Sequence, residues 1–474
     1  MSTVAPLSGF PEYLPADRIV ELHFLDTIRE VFELHGFASI ETRSVEPIER
    51  LSAQGEDTDK EIYTISRLGG DHALGKPDRE PKLGLHFDQT VPFARYVLEH
   101  AGKLNFPFRR YQMQKVWRGE RPQEGRYREF TQADIDVVDV GELAPHFEAE
   151  MPLVIADVFA RLPMPDFVIG VNNRKIPEGF YRGLGLSDIT GTLRIVDKLD
   201  KIGPDAVTEL LREAGATAEQ AAACLALAEI RTADTSFVGQ VRALGVSHRL
   251  LEEGLAALAD VVETVAAAAP GKIVADLKIA RGLDYYTGTV YETTLIGYEK
   301  WGSFCSGGRY DSLASDGKVT YPGVGISIGV SRLLGLLLGA GLVRASRSTP
   351  SCVLVALVDD SHVERTRSTA IATALRRRGI ACEVAPKAAK FGKQIRYADR
   401  RGIPFVWFPA VADGSGTAHD AAQGEDGAGD AAAPALGEVK DIRSGEQIPA
   451  DPAMWSPPLE DLHPAVIGVD PAAG

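Results

Sequence analysis

Cysteine is scarce in this sequence, and no apolar stretch is long. Four cysteines occur among 474 residues, at positions 224, 305, 352 and 382, and no two of them form a CxxC pair. This spacing argues against a disulfide scaffold or a cysteine zinc site, and it suits a reducing cytosol. The longest apolar stretch, residues 333–343 with its glycines, is too short to cross a bilayer. Residues 1–20 lack a basic start followed by an apolar run, so we expect no secretory signal, no membrane segment and a cytoplasmic location.

Basic residues are outnumbered overall, but they are concentrated in two segments. The 51 basic and 66 acidic residues give a formal net charge of −15. Residues 106–130 nevertheless hold seven basic and three acidic residues, and residues 364–408 hold eleven and three. The acidic total disfavours a nucleic-acid partner, whereas the two basic segments restore that expectation. Solvated helix faces would also explain either segment taken alone.

The hydrophobic pattern changes along the chain and predicts several parts. A helix is predicted from Asp17, its cap, to His35, with Gly36 as its stop. Strand, polar loop and strand follow over residues 104–140, and an Ala- and Leu-rich helical insertion over about 175–270. Strand signals return over 272–308, and residues 324–338 predict a strand that leads into an apolar helix.

The C-terminal part has a different pattern. After a linker at 343–350, strands and helices alternate, which predicts a small α/β domain with parallel pairing over 351–474. Residues 410–437 contain ten alanines, six glycines and no aromatic residue. Such a segment cannot bury enough apolar surface to offset its chain entropy, so it is predicted to be a disordered insert.

The segment from 118 to 136 is the richest in chemistry. Its loop carries four arginines, and guanidinium groups bind phosphates bidentately at any working pH. Strand alternation then puts four residues on one face, namely Phe130, Gln132, Asp134 and Asp136. Burying these acids requires a partner such as an amino or imidazole group. An exposed face of a half-solvated sheet explains the pattern equally well.

Three further segments allow more than one interpretation. Residues 280–292 predict a glycine-broken turn that feeds a strand, with Arg281 and two tyrosines near the bend, or else a structural aromatic cluster. Asp88 could simply cap a helix that begins near Pro92. The glycines of residues 323–329 lie within a strand pattern and no acidic ribose ligand is evident, so a Rossmann dinucleotide site is excluded.

Together these segments resemble the histidyl-tRNA synthetases, a family of class II aminoacyl-tRNA synthetases. Residues 118–136 resemble the motif 2 version RGERPQxGRYREFxQxDxD, and residues 281–292 resemble the signature RGLDYYTGxxxE. Residues 85–95 resemble LRxDxTVPxAR, 307–311 resemble a second histidine-specific motif, and 323–333 resemble motif 3. Departures occur at His86 and Gln89, where many relatives have Arg and Leu, and at Ser331, where Glu is usual.

The resemblance implies a fold and an activity. It implies an α+β class II catalytic domain over residues 1–342, with an antiparallel sheet flanked by helices and the helical insertion, followed by an anticodon-binding α/β domain. The implied enzyme is a histidine–tRNA ligase that activates L-histidine with ATP and Mg²⁺ and then charges tRNA(His). Residues 17–47 resemble motif 1, which implies a homodimer.

The resemblance also implies roles for individual residues, and it implies no protein-bound metal site. The implied catalytic residues are Arg118, Arg281 and Arg332. The same three arginines bind ATP together with Glu120 and Arg126. The implied histidine-binding residues are Asp88, Gln89, Thr90, Gln132, Asp136, Tyr285, Tyr286 and Tyr310.

Two related classes of protein remain as alternatives. One is the synthetase-like regulatory subunit of ATP phosphoribosyltransferase, which typically lacks the C-terminal domain and has a degraded Arg281-type signature. The other is a prolyl or threonyl enzyme, which shares motifs 2 and 3 in outline but not the peptide at 281–286. This chain has both the C-terminal domain pattern and the peptide, which favours the histidyl enzyme.

Overall fold

The structure is a computed structural model that describes residues 5–52, 61–66, 82–123, 125–279, 285–410 and 437–469. It divides into two compact units. The first contains Phe24–Ala340 and the N-terminal residues through Glu12, and the second contains Tyr13–His23 and the chain from Gly341 onward. Among the described residues, no helix is long and apolar enough to span a membrane.

The first unit is built on a nine-stranded, mostly antiparallel sheet. Its strands are β1 (Ala38–Ser39), β5 (Phe108–Trp117), β6 (Glu129–Val138), β7 (Phe167–Asn173), β8 (Arg231–Thr232), β9 (Ile273–Asp276), β10 (Thr289–Leu295), β11 (Cys305–Ser315) and β12 (Thr320–Gly329). The order across the sheet is β1-β5-β6-β12-β11-β10-β7-β9-β8. Among the described strands of this sheet, the pairs β1/β5 and β7/β9 are parallel and the other pairs are antiparallel. A separate small antiparallel sheet contains β2 (Val45–Pro47), β3 (Thr64–Ile65) and β4 (Leu83–Leu85).

Helices flank the large sheet, as the α+β prediction requires. They are α1 (Pro15–Leu34), whose part from Phe24 onward belongs to this unit, α2 (Ile48–Leu51), α3 (Thr90–His100), α4 (His146–Arg161) and, in the insertion, α5 (Lys175–Gly183), α6 (Ile189–Val196), α7 (Leu199–Glu213), α8 (Ala218–Ala228), α9 (Phe237–Ala243) and α10 (Arg249–Ala268), followed by α11 (Val330–Gly339). The predicted cap of α1 is wrong, because the helix begins at Pro15 and Asp17 lies inside its first turn. Proline suits that first position, since its fixed φ is helical and its missing N–H is not needed there.

The second unit contains a five-stranded sheet whose faces are both covered. Its strands are β14 (Val353–Val355), β15 (Cys382–Val384), β16 (Phe405–Pro409), β17 (Gly437–Asp441) and β18 (Gln447–Ala450), in the order β15-β14-β16-β17-β18. The pairing of β14 with β15 and with β16 is parallel, as predicted, whereas β17 and β18 add antiparallel strands.

Alternation along β14 explains why both faces of this sheet are buried. Val353 and Val355 belong to one apolar cluster with Ile371 of α12 (His362–Arg377). Leu354 belongs to a second cluster with Ala398 of α13 (Phe391–Arg401). A strand covered on both faces is expected to be continuously apolar, which its sequence is.

Part of the predicted linker at 343–350 is in fact a strand. β13 (Val343–Ala345) pairs with β19 (Val466–Gly468), beyond the short helix α14 (Leu459–Leu462). Residues 411–436 of the predicted disordered insert lie outside the described residues.

Candidate active site

One row of paired residues crosses four strands of the large sheet, and two of its members are glycines, which leave space above the sheet. Arg110 on β5 lies opposite Asp136 on β6, Asp136 lies opposite Gly325 on β12, and Gly325 lies opposite Gly308 on β11. Glycine is required at these two positions because a side chain there would collide with neighbouring atoms. A Cβ atom on Gly308 would lie 2.9 Å from Cδ1 of Tyr286, closer than any ordinary contact. In the next row, Asp134 on β6 lies opposite Ser327 on β12, which also has a small side chain.

The acids of β6 are buried, so the interpretation as an exposed sheet face is wrong. Asp136 is 1% exposed and Asp134 is 3% exposed. Tyr310 donates its hydroxyl to Oδ1 of Asp136 at 2.8 Å, and Nη2 of Arg110 lies 2.5 Å from Oδ2. Ser327 donates its hydroxyl to Oδ1 of Asp134 at 2.5 Å. Both acids line a cavity of about 20 Å³, together with Thr90, Tyr286, Ser306, Tyr310, Gly325, Ile326 and Ser327.

Asp88 has the helix-capping contact and also faces the acids. Its Oδ1 accepts a hydrogen bond from the backbone N–H of Val91 at 3.1 Å, in the first turn of α3. Its Oδ2 accepts one from the Tyr285 hydroxyl at 3.3 Å. The capping contact and the position beside the cavity are therefore compatible, because a carboxylate has two oxygens with several lone pairs.

Burial makes this group of acids reluctant to ionise. It raises the pKa of Asp88 to about 6, of Asp134 to about 7 and of Asp136 to about 6. Arg110 opposes the increase at Asp134 and Asp136, and Arg118 opposes it at Asp88. Three carboxyl groups with so little compensating charge form a site that favours a cationic ligand.

A second cavity, of about 380 Å³, adjoins the first and carries arginines. Its lining includes Glu61, Arg118, Glu120, Gly125, Arg126, Tyr127, Phe130, Gln132, Ser303, Phe304, Ser306, Ser327, Gly329 and Arg332. Ser306 and Ser327 line both cavities, so the acidic cavity and the arginine cavity share a floor. A ligand with a cationic end and a polyanionic end would match this arrangement.

Protein contacts already orient the arginines of this cavity. Nε of Arg118 donates to the carbonyl oxygen of Phe87 at 3.0 Å, and Arg126 pairs with Glu120 at 3.0 Å. Arg332 donates to the carbonyl oxygen of Trp301. Burial lowers the pKa of Arg332, and nearby Arg126 lowers it further, so an anion in the cavity would relieve both costs.

The turn of the arginine loop is packed against Trp301. Gly125 has φ of +71°, and a Cβ atom there would lie 2.6 Å from Cζ3 of Trp301. The base of the same loop is held by Gly9, whose carbonyl oxygen accepts hydrogen bonds from the backbone N–H groups of Arg128 and Glu129. The loop is thus fixed by residues far away in sequence.

Two positions that the sequence singled out, Gln89 and Ser331, line neither cavity, and a third lies outside the described residues. Gln89 lines neither cavity, and its amide nitrogen donates to the backbone oxygens of Gln114 and Gln132 at 3.0 and 3.1 Å. Ser331 is buried, and its hydroxyl accepts a hydrogen bond from the backbone N–H of Thr131 at 2.9 Å, which joins α11 to β6. Arg281 lies outside the described residues. The remaining predicted residues lie in or beside the two cavities.

Sequence reasoning gave no role to Arg110 or to Ser327. Ser327 also accepts a hydrogen bond from the side-chain nitrogen of Gln132 at 3.0 Å, so it connects Gln132 to Asp134. The signal for Arg110 was present, because Arg110, Gln112 and Gln114 alternate along one strand and therefore share a face.

The second unit has a basic cavity of about 820 Å³. Residues 387–401 contain six basic residues, and five of them line this cavity together with Tyr397, namely Lys387, Lys390, Lys393, Arg396 and Arg400. The sixth, Arg401, instead donates to the Tyr397 hydroxyl at 2.6 Å.

Comparison with known proteins agrees with this geometry. The family model for histidyl-tRNA synthetase matches residues 9–333, and the model for an anticodon binding domain matches residues 351–408. A histidine–tRNA ligase of Micrococcus luteus is 60% identical, over 98% of this chain and 99% of its own. One of Cutibacterium acnes is 57% identical, over 99% and 100%. The crystal structure of histidyl-tRNA synthetase from Nostoc sp. PCC 7120 is 36% identical and covers 95% of this chain and 97% of its own, with a TM-score of 0.79. The chain therefore belongs to the histidyl-tRNA synthetase family.

Proposed function

We propose that this chain is a histidine–tRNA ligase that activates L-histidine with ATP and transfers it to tRNA(His). In the first step a carboxylate oxygen of histidine attacks the α-phosphorus of ATP, and pyrophosphate leaves. In the second the 3′-hydroxyl of the terminal adenosine attacks the carbonyl carbon of the adenylate, and AMP leaves. The observation that carries the proposal is the shared floor of the acidic and arginine cavities, which would bring a cationic amino acid next to a triphosphate.

Histidine would bind in the acidic cavity through hydrogen bonds to buried acceptors. Asp136 would accept one from the imidazole, and Asp88 and Thr90 would hold the α-ammonium group. Gln132, Tyr285, Tyr286 and Tyr310 would complete the site. An apolar side chain would leave Asp136 unsatisfied, which is a strong basis for discrimination without editing. Gln89 would act only indirectly, by supporting the strand of Gln132.

Histidine binding would require side chains to move. A cavity of about 20 Å³ has room for little more than one water molecule. Tyr286 lines this cavity and contacts Gly308 closely, so its ring is one side chain that would have to shift.

ATP would enter the arginine cavity as its magnesium complex. Arg118 would contact the α-phosphate, Arg332 the γ-phosphate, and Arg126 and Glu120 would lie beside the nucleotide. Arg281 would stabilise charge on the α-phosphate during the attack. Phosphoryl transfer of this kind depends on positioning and charge neutralisation more than on covalent catalysis.

We assign tRNA recognition to the C-terminal domain. In this proposal residues 1–342 form the catalytic domain, 343–350 are the connecting segment and 351–474 bind the anticodon. A positive surface beside an aromatic ring, such as the basic cavity with Tyr397, suits a single-stranded RNA loop. We further propose a cytoplasmic homodimer that assembles through residues 17–47, where Leu22 and Leu34 are exposed.

ATP–pyrophosphate exchange with histidine, proline or threonine tests the activation step. We expect exchange with histidine alone, and a loss of at least 100-fold in Arg281→Ala and Arg332→Ala. Arg249→Ala is a matched control, because Arg249 is exposed on the insertion and its ion-pair partner is Glu253 on the same helix. Exchange with another amino acid, or with none despite a folded protein, would overturn the proposal.

A further inference from the structure

Arg110 is a cation buried beneath the acidic cavity. It lies on β5 directly opposite Asp136, and its side chain is 0% exposed. Its guanidinium carbon is 4.4 Å from the centre of the Phe93 ring. The carboxylate of Asp136, 2.5 Å away, is its closest charged partner among the described residues.

This arginine is not explained by stability. None of its three side-chain nitrogens makes a well-directed hydrogen bond within the described part of the chain. Desolvating an ion pair costs about as much as the pair returns, and replacing a buried pair by apolar residues is often neutral or stabilising. A buried arginine in such poor hydrogen-bonding surroundings therefore suggests a functional reason.

We propose that Arg110 is a positioning residue for the histidine side chain, which fixes Asp136 and holds its carboxylate as an anion. The proposal rests on the proposed function of the acidic cavity. Arg110 forms an ion pair with Oδ2 and Tyr310 donates a hydrogen bond to Oδ1, so both oxygens of the carboxylate have a protein partner. Each oxygen keeps a further lone pair for a ligand.

The charges around Asp136 require such a cation. Asp134 and Asp88 repel a negative charge at this point, and Tyr310 supplies only a neutral hydrogen bond. Burial also favours the protonated acid. Arg110 is the charged group that opposes these effects, beside the hydrogen bond from Tyr310, and arginine cannot lose its proton at any working pH. Without it, the pKa of Asp136 would be higher, so more of Asp136 would be protonated near neutral pH, and a protonated acid is a poorer acceptor for an imidazole N–H.

The test compares Arg110→Met, which removes the charge, with Arg110→Lys, which keeps it. L-Histidine binding to the full chain is measured by calorimetry from pH 6 to pH 9, with exchange kinetics in parallel. We expect Arg110→Met to weaken histidine binding at least tenfold at pH 7 and to recover as the pH rises, because its Asp136 ionises only at higher pH. Arg110→Lys should lose less than fivefold, with the pH profile of the unmodified protein. Because both variants are compared with that protein at each pH, the titration of histidine itself cancels.

The outcomes separate this proposal from the function on which it rests. If the unmodified protein binds no histidine, both proposals fail. If it binds histidine and Arg110→Met weakens binding by the same factor at every pH, Arg110 is merely structural and only this proposal fails. The KM for ATP should change less than twofold in both variants, and an equal rise in both KM values would also overturn the assignment. If Arg110→Met does not fold, a shifted pH profile in Arg110→Lys would overturn it.

Discussion

A Cβ atom on Gly325 would lie 2.0 Å from Oδ1 of Asp136, inside the position that the carboxylate occupies. The two residues are direct partners across the β6/β12 ladder. The carboxylate of Asp136 therefore fits because Gly325, its partner on the neighbouring strand, has no side chain.

This relationship predicts that Gly325→Ala displaces Asp136 from Tyr310 and Arg110. We expect the KM for histidine to rise at least 20-fold, while the KM for ATP changes little, because Gly325 lines only the acidic cavity. The measurement is exchange kinetics with each substrate varied. Gly339→Ala is the control, since a Cβ atom there meets nothing within 4 Å and stability should be unchanged or slightly higher. Unaltered histidine binding in Gly325→Ala would contradict the assignment.

Asp134 predicts a pH dependence of stability. Its folded pKa of about 7 lies above the ordinary value of 3.8, so the folded chain binds this proton more tightly than the unfolded chain. The resulting stabilisation is complete below about pH 4 and is lost as the pH rises through 7. Asp134→Asn should remove this dependence, so its melting temperature relative to the unmodified protein should rise by roughly 2–5 °C between pH 5 and pH 8. Differential scanning calorimetry without ligand measures it, and a constant difference would contradict the prediction.

The contacts of Trp301 predict that replacing it weakens ATP binding and leaves histidine binding nearly unchanged. Its ring supports the turn at Gly125, and its carbonyl oxygen receives Arg332. Trp301→Ala should free the turn at Gly125, although it keeps the backbone carbonyl that accepts from Arg332, so we expect the KM for ATP to rise about 5- to 20-fold with little change in the KM for histidine. Trp301→Phe keeps part of the packing, so its KM for ATP should lie between that of Trp301→Ala and that of the unmodified protein. Tryptophan fluorescence should also change on ATP binding in the unmodified protein, and a response that persists in Trp301→Phe would show that another tryptophan reports it.

The basic cavity of the second unit predicts that variants can impair the step that uses tRNA without affecting the activation of histidine. Replacing Lys387, Lys393 and Arg396 together by alanine should lower kcat/KM for tRNA(His) at least tenfold and flatten its salt dependence. Histidine-dependent exchange should be unaffected, because it needs no RNA. Arg365→Ala is the matched control, since Arg365 is exposed on α12 and pairs with Asp360. Loss of exchange in the triple variant would contradict this division.

Some features of the fold and the site could be predicted, and others could not, for physical reasons. Alternation along β6 correctly grouped Gln132, Asp134 and Asp136, because strand geometry is local. It could not tell a buried face from an exposed one, since that depends on what covers the sheet. Asp88 showed the same limit: its cap was predicted from local spacing, whereas its contact with Tyr285 joins positions 197 residues apart.

The motifs and the geometry of the structure identify different residues of the candidate site. The motif at 85–95 suggested Gln89 as a ligand residue, yet its side chain satisfies backbone groups of two strands. Arg110 received no role because it precedes the motif, and its partner is specified by strand register rather than by sequence spacing.

The floor of Ser306 and Ser327 has a consequence for inhibitor discovery. Because the same two side chains border both cavities, fragments bound in each would have neighbouring ends. Joining a weak cationic fragment to a weak anionic one by a short tether turns the second binding event into an intramolecular one, and the gain depends on how well the tether matches the span. Two hydroxyl groups at the junction also offer the tether hydrogen-bond partners that an apolar wall would lack.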